Sequence, residues 1–251
     1  MKRISLGTIG PIALALAFSG AAYAADVGNM SGTLNAGYAV GLGDSSSDIY
    51  GASGTLQIPV NVGWTDQSGF EVIGGYRRPD VGGVDFWNIG GALYAGNNMG
   101  RVAADITYHS VAGASFNAYG AGGEWFATPN VNLAVRGGGL SGDQFDGGYV
   151  GAQGAWYACP DFALSVGVDY WSAAYNMTSE IFQAEWLPSE TLPVSVYTGF
   201  QHLNVAGGDA NTFFVGVKLY VNGDGAATLL DRQRNGTNGY IVQSPMFLDQ
   251  Y

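Results

Sequence analysis

Apolar and polar residues alternate along most of this chain with a period of two. In one segment, Val102, Ala104 and Ile106 fall on one face, while Arg101 and Asp105 fall on the other. Because successive side chains of a β-strand point to opposite faces of the sheet, each such segment is a two-faced strand. The alternation predicts twelve strands, over residues 33–42, 49–64, 70–77, 85–95, 101–111, 115–127, 131–140, 148–158, 162–171, 180–187, 192–202 and 212–221.

In nearly every one of these segments the mid-strand charges lie opposite the aliphatic residues. This separation is typical of a transmembrane β-barrel, whose apolar face meets lipid and whose polar face meets a lumen. We therefore predict an all-β fold, an antiparallel up-and-down transmembrane barrel of about 12 strands over residues 33–221. Ten strands and a secreted β-sandwich are the alternatives. Pro59 predicts a bulge or a bend in the long second strand, because proline cannot donate to a strand ladder.

The connections between the predicted strands alternate in length. Those after the even-numbered strands are tight and rich in Pro, Gly, Asn and Asp, as at residues 128–130 and 160–161, which suits turns. Of the others, 141–147 and 203–211 are among the longest, and 172–179 is of similar or middling length. Barrels of this kind combine short periplasmic turns with longer extracellular loops, so the tight connections are assigned to the periplasm.

Aromatic residues at the strand ends predict the same orientation. Tryptophans close four even-numbered strands on their apolar face, and phenylalanines open two of the strands that follow. An amphipathic ring favours the membrane interface, so these residues are expected to form a girdle at the headgroup level. The predicted interface aromatics are Trp64, Phe70, Trp125, Trp156, Phe162 and Trp186.

The first 24 residues have the parts of a secretory signal peptide. A positive start at Lys2 precedes an apolar run at 12–18 and the small-x-small site Ala-Tyr-Ala at 22–24, the usual order of such a signal. The apolar run falls short of the roughly 20 residues of a membrane-spanning helix, which argues against an N-terminal anchor. We predict removal of residues 1–24, which leaves a short N-terminal segment at 25–32 before the barrel.

The composition favours a barrel over a soluble enzyme. The chain has 9 Lys+Arg against 20 Asp+Glu, so a basic patch is missing and we expect no nucleic-acid partner. Charged residues make up 12% of the chain, which also holds 41 glycines. The single Cys159 excludes a fold held together by internal disulfides.

The signal peptide, the Gly- and Tyr-rich alternating strands, the Pro-Asn and Pro-Asp turns and the acidic balance resemble small outer-membrane β-barrel, porin-like proteins of Gram-negative bacteria. The similarity is one of pattern and covers residues 33–221. Gly216, Leu219 and Val221 also resemble the assembly signal of such barrels, although here the signal lies inside the chain. The resemblance implies a location in the bacterial outer membrane, contact with its lipids and lipopolysaccharide, and insertion by the barrel-assembly machinery.

Residues 222–251 follow the last predicted strand and show no clear alternation. Their polar stretch at 231–236 permits two interpretations, a periplasmic tail or a plug that folds back into the lumen. The sequence alone favours the periplasmic tail.

Nine charged residues are predicted to line the lumen. A lipid-facing Arg or Lys at mid-depth costs roughly 2–4 kcal/mol, so such residues are directed inward. Charges that pair across the lumen would close it, whereas charges on opposite walls around water would form a narrow, weakly selective pore. The nine residues are Glu71, Arg77, Arg101, Asp105, Glu124, Arg136, Asp169, Glu185 and Lys218.

The predicted function is passive diffusion of small polar solutes. The alternative is a non-conducting structural or adhesive barrel whose loops bind lipopolysaccharide or a partner, and an outer-membrane hydrolase comes third. No catalytic residue is predicted, because His109 and Ser110 point to opposite faces of a strand and His202 has no serine two residues away. Rim pairs of these histidines with Asp85 or Asp209 are the remaining hydrolase candidates. Two histidines and one cysteine are too few for a zinc site, so we predict no metal and no cofactor.

Overall fold

In the computed structural model the alternating segments form strands. The structure describes residues 30–42, 48–60, 65, 67–80, 85–111, 113–142, 145–173, 176–189, 192–205, 208–222 and 228–234. The predicted signal peptide at 1–24 and Trp64 lie outside these residues. The strands are β1 (Ser31–Leu42), β2 (Ile49–Pro59), β3 (Gln67–Pro79), β4 (Phe86–Asn97), β5 (Gly100–Val111), β6 (Ala114–Thr128), β7 (Val131–Gly142), β8 (Gly147–Cys159), β9 (Phe162–Ser172), β10 (Asn176–Trp186), β11 (Val194–Val205) and β12 (Gly208–Asn222), and a helix, α1 (Leu229–Arg234), follows them.

The twelve strands close into a barrel in which neighbours are antiparallel. Each strand pairs with the next along the chain, and β12 pairs with β1 in a continuous register from Ser31↔Asn222 to Leu42↔Asn211. Closure leaves no unpaired strand edge, which a sheet surrounded by lipid could not satisfy. The predicted antiparallel up-and-down barrel is confirmed, with twelve strands rather than ten.

The outer surface of the barrel is apolar and the inner surface is buried. Val102 and Val135 are 62% and 63% exposed on the outside, whereas their strand neighbours Arg101 and Ala134 are buried. A soluble protein has the reverse order, because water disfavours a continuous apolar surface. Lipid solvates such a surface, so the arrangement matches a membrane-spanning barrel.

The second strand is shorter than the sequence predicted. It ends at Pro59 instead of continuing to residue 64. Pro59 has no N–H to donate, and beyond it Val60 N donates one last bond to Ser68 O of β3 at 2.8 Å. The strand therefore ends at Pro59. The sequence had predicted a longer strand with a bulge or a bend at this proline.

Two predicted loops are largely strand. Only residues 206–207 connect β11 to β12, where the sequence predicted a loop over 203–211. The start of β10 likewise lies inside the predicted loop at 172–179. Polar residues in both stretches hide the alternation of apolar and polar positions. The strands form there nevertheless, because backbone hydrogen bonds between strands need no particular side chain.

The two ends of the barrel differ less in connection length than predicted. We call the end where β1 begins and β12 ends the terminal end. Its connections include two-residue turns at 129–130 and 160–161, but also the longer segments 60–66 and 187–193. At the opposite end, Gly113 adopts φ +86° in the connection between β5 and β6, a left-handed conformation that glycine takes without a steric penalty from a Cβ.

The helix α1 is short and packs against the barrel. Asp231 N donates to the Thr228 hydroxyl at 3.0 Å, which makes Thr228 its N-cap. Leu229, Arg232 and Gln233 are buried. Among the described residues, no helix combines the length and the apolar character needed to cross a membrane.

Candidate functional site in the lumen

The structure places all nine charged residues predicted for the lumen on the inner face of the barrel. Glu71, for example, is buried between the exposed Phe70 and Val72 of β3. The same alternation directs the other eight inward, namely Arg77, Arg101, Asp105, Glu124, Arg136, Asp169, Glu185 and Lys218.

Arg101 and Glu124 form a salt bridge with no exposed side-chain surface. They are direct neighbours on β5 and β6 near the terminal end, and Arg101 Nε donates to Glu124 Oε2 at 3.1 Å. Asn132 Nδ2 donates to the other carboxylate oxygen at 3.2 Å. A desolvated pair needs such additional bonds, because each charge has lost its hydration.

Arg136 and Asp169 meet across an intervening strand. Arg136 Nη2 and Nε donate to the two carboxylate oxygens at 2.7 and 3.1 Å, a bidentate geometry. Gly151 of β8 is the register partner of both residues. A Cβ on Gly151 would lie 1.9 Å from Asp169 Oδ1, so the ion pair occupies the space above this glycine.

Lys218 of β12 and Glu185 of β10 form a third pair, which also spans an intervening strand, here β11. Lys218 Nζ donates to Glu185 Oε2 at 2.8 Å. Ser195, the β11 neighbour of Lys218, donates its hydroxyl to Glu185 Oε1 at 2.5 Å. The Tyr220 hydroxyl also donates to Oε1, so three donors hold this carboxylate.

Glu71 and Arg77 lie toward opposite ends of β3. Gln57 Nε2 donates to Glu71 Oε2 at 3.1 Å, and Glu71 is buried. A Cβ on Gly51 would lie 2.5 Å from Arg77 Cγ, so the aliphatic part of Arg77 covers that glycine.

Asp105 is the charge in the middle of β5. It is half-buried between Ala92 and Gly120 on the neighbouring strands. In the part of the chain that the structure describes, Asp105 takes part in no salt bridge.

The three lumenal pairs run along the wall and not across the lumen. One pair joins adjacent strands, and the other two join strands separated by one. Next to Arg136 and Asp169 lies a small recess, partly open to solvent, whose lining includes Gln153, Gly167 and Ile181. These pairs therefore do not bridge the lumen, and they place both signs of charge on its wall.

Aromatic side chains on the inner face were not predicted. A buried cluster between β6 and β9 contains three aromatic residues, Phe116, Tyr149 and Trp171, which pack with Leu140. Their strand phase is that of the lumenal charges, so the alternation contained this signal. A girdle at the membrane interface is made of rings on the apolar face, so the girdle pattern does not extend to these inward rings.

The histidines of the hydrolase hypothesis lie on different faces. His109 is fully buried on the inner face and stacks on Phe116 at 4.7 Å between ring centroids. His202 lies on the outer face, with Nδ1 2.9 Å from Asn211 Oδ1. Asp85 is engaged by the Tyr76 hydroxyl at 2.8 Å. No group of three His, Cys, Asp or Glu residues within the described ranges has the geometry of a metal site.

Most of the predicted interface aromatics lie on the outer face near the terminal end. Phe70, Trp125, Trp156 and Trp186 are exposed there, and Phe162 is half-buried. Near the opposite end, Trp87 is exposed and lies 5.2 Å from Tyr108 between ring centroids. Aromatic rings therefore flank the apolar band on both sides, as in membrane barrels.

Comparisons with known proteins agree with this architecture. No protein-family model matches the chain, and no curated protein matches it in sequence. Among solved structures, a KdgM porin is similar with a TM-score of 0.51 at 11% identity, covering 74% of this chain and 98% of that one. A NanC porin is similar with a TM-score of 0.55 at 12% identity, over 75% of this chain and 98% of that one.

A third similar structure is a KdgM porin in complex with disordered oligogalacturonate, with a TM-score of 0.51 at 10% identity, covering 74% of this chain and 98% of that one. At these identities the likeness concerns the fold alone. The chain thus has the fold of a small porin-like β-barrel, which confirms the resemblance seen in its sequence.

Proposed function

We propose that this chain is an outer-membrane pore through which small polar solutes diffuse passively. The observation that carries the proposal is the direction of the ion pairs. Arg136–Asp169 and Lys218–Glu185 are fixed to the wall and do not bridge the lumen. A passage lined by fixed charges of both signs replaces part of the hydration of a polar solute without binding it tightly.

The width of the barrel supports a narrow passage. About eight strands are filled by their own side chains, whereas 16–18 leave an aqueous channel. Twelve strands lie between these limits, and side chains such as those of Tyr149 and Asp169 lie over inner-face glycines, close to the wall. The porins of similar fold are in keeping with this function.

The proposal includes the cellular context implied by the sequence. Residues 1–24 would direct export and be removed, and the terminal end would face the periplasm. The apolar outer face would contact outer-membrane lipids and lipopolysaccharide, and the signal in β12 would be read by the barrel-assembly machinery. The protein would act without a catalytic residue, a metal or a cofactor.

A non-conducting structural barrel is the second candidate. It is favoured by the Arg101–Glu124 pair, which is fully buried where the lumen reaches the terminal end. The lack of exposed side-chain surface on this pair means that bulk water does not reach it at this end of the lumen.

Single-channel recording in planar bilayers separates the two candidates. Purified, folded protein should give stepwise currents, and liposomes that contain it should swell in small neutral sugars but not in large ones. Heat-denatured protein is the control. If the full chain and a chain lacking residues 223–251 are both folded and both silent over a wide voltage range, the pore is rejected and the structural barrel takes its place.

A further inference from the structure

The helix α1 is attached to the barrel wall by the buried charges of β5 and β6. Arg101 Nη2 donates to the Gln233 carbonyl oxygen at 2.9 Å, and Gln233 Nε2 donates to Glu124 Oε1 at 2.5 Å. Carbonyls in the last turn of a helix have no partner within the helix, and a guanidinium supplies one here. Gln233 is 4% exposed, so this attachment lies inside the mouth and not on the rim.

The start of α1 packs against the far side of the same mouth. Leu229 forms a buried cluster with Tyr157 of β8, Leu187 after β10 and Tyr220 of β12. Burying a leucine side chain contributes roughly 1.5–3 kcal/mol. The Arg232 guanidinium lies 4.5 Å from the centroid of the Tyr220 ring, a cation–π contact. Burial lowers the pKa of this guanidinium. The ordinary pKa of arginine is so far above neutral pH that the group stays charged.

Further contacts reach other parts of the ring. Gln67 Nε2 on β3 donates to the Arg234 carbonyl oxygen at 2.8 Å, and Leu230 N donates to Pro160 O at 3.0 Å. Six helical residues span only about 9 Å. An element this short that touches β3, β5, β8 and β12 crosses the opening instead of following one wall.

We propose that α1 is a plug that narrows the terminal mouth of the lumen, and that its withdrawal widens the passage. This inference rests on the proposed pore function. A helix with its side chains is about 10–12 Å across, enough to fill much of a narrow mouth. Arg232 and Arg234 also bring two positive charges into the opening. Part of the segment 222–251 is then the plug that the sequence left as its second interpretation.

Two shortened chains test the plug with a matched control. One ends at Asn222 and lacks α1; the other ends at Arg234 and keeps it. We expect a severalfold larger single-channel conductance from the first chain than from the full protein. The chain that ends at Arg234 should conduct like the full protein, because the plug is still present.

A point variant in the full chain covers the case in which the shortened barrels fail to assemble. Leu229→Asp places a carboxylate against Tyr157, Leu187 and Tyr220 and should raise conductance in the same direction. Assembly of every variant is checked by the mobility of unheated protein on gels. Asp209→Asn, a change on the exposed outer face of β12, serves as the control substitution.

The outcomes distinguish the plug from the pore. Equal conductance of the full chain, the Leu229→Asp variant and the chain ending at Asn222 overturns the plug and leaves the pore in place. Silence of all folded forms overturns both. A larger conductance that appears already in the chain ending at Arg234 assigns the block to residues beyond α1 and also overturns the proposal.

Discussion

At the scale of single residues, glycine lets large polar side chains lie flat on the inner wall. The Arg136–Asp169 pair occupies the space above Gly151, and the Tyr149 hydroxyl lies 2.1 Å from where a Cβ on Gly120 would be. A side chain at either position would force these groups away from the wall. The glycines of the inner face therefore determine which charges can meet.

Gly151→Ala tests this role. The new methyl group would lie where Asp169 Oδ1 now is, so the ion pair must shift or break. Overpacking of this kind typically costs about 1–3 kcal/mol. We expect a lower midpoint for urea-induced unfolding of the barrel in lipid vesicles, followed by tryptophan fluorescence.

The control for Gly151→Ala lies on the same strand. A Cβ on Gly154 would meet Leu133 at 3.5 Å, an ordinary contact, so Gly154→Ala should change the midpoint much less. In a background that carries Asp169→Ala, Gly151→Ala should also cost little, because the clashing carboxylate is gone. Equal losses in all three comparisons would contradict the proposed role of the glycine.

The lumenal ion pairs differ in their access to water. The side chains of Arg101 and Glu124 have no exposed surface, whereas those of Arg136 and Asp169 are 11% and 15% exposed. A fully desolvated pair depends on its additional partners, and here α1 supplies two of them through Gln233. The Arg101–Glu124 pair therefore helps to close the mouth, whereas the Arg136–Asp169 pair lines the passage.

At the scale of elements, period-two alternation predicted the existence of every strand. A barrel strand contacts two different media along its whole length, so its side-chain pattern repeats without interruption. The pattern fails where a strand extends past the apolar band, as in β11 and β12, because water accepts any polar residue there. The end of β2 at Pro59 was also missed, since the proline leaves the side-chain alternation undisturbed.

The partners of the lumenal charges could not be predicted from the sequence. Alternation shows that Arg136 and Asp169 face inward, but their contact depends on the register of β7, β8 and β9 and on the glycine between them. The contacts of α1 had even less local signal, because Gln233 and Glu124 lie 109 residues apart in the chain. The face on which a side chain lies follows from its own strand, whereas the charges that it meets depend on how several strands are aligned in the closed barrel.

The outer face of β7 offers a test of its depth in lipid. Val135→Arg places a cation in the middle of the apolar band, which costs about 2–4 kcal/mol, while the same change near the interface costs about 0–1. Ser141→Arg, on the same face near the end of the strand, is the matched control. Unfolding free energies in vesicles should show the larger loss for Val135→Arg. Similar losses for both would argue against a membrane boundary between these positions.

At the scale of the whole molecule, the charges of the lumen nearly cancel. Three acids are paired with three bases along the wall, and Glu71 and Arg77 add one charge of each sign. Asp105 is left as the excess negative charge, in the middle of its strand. Weak selectivity for cations is therefore expected of the open passage, and a single residue should control it.

Asp105→Asn removes this charge with almost no change in side-chain volume. In a potassium chloride gradient, the reversal potential of the chain ending at Asn222 should move toward that of chloride, because the field that favours potassium is lost. The shift should be largest in dilute salt, since the Debye length is about 30 Å at 0.01 M and about 3 Å at 1 M. Asp209→Asn removes the same charge from the outer face and should leave the reversal potential unchanged. Equal shifts from both substitutions would mean that the overall negative charge of the protein sets the selectivity, and that Asp105 does not.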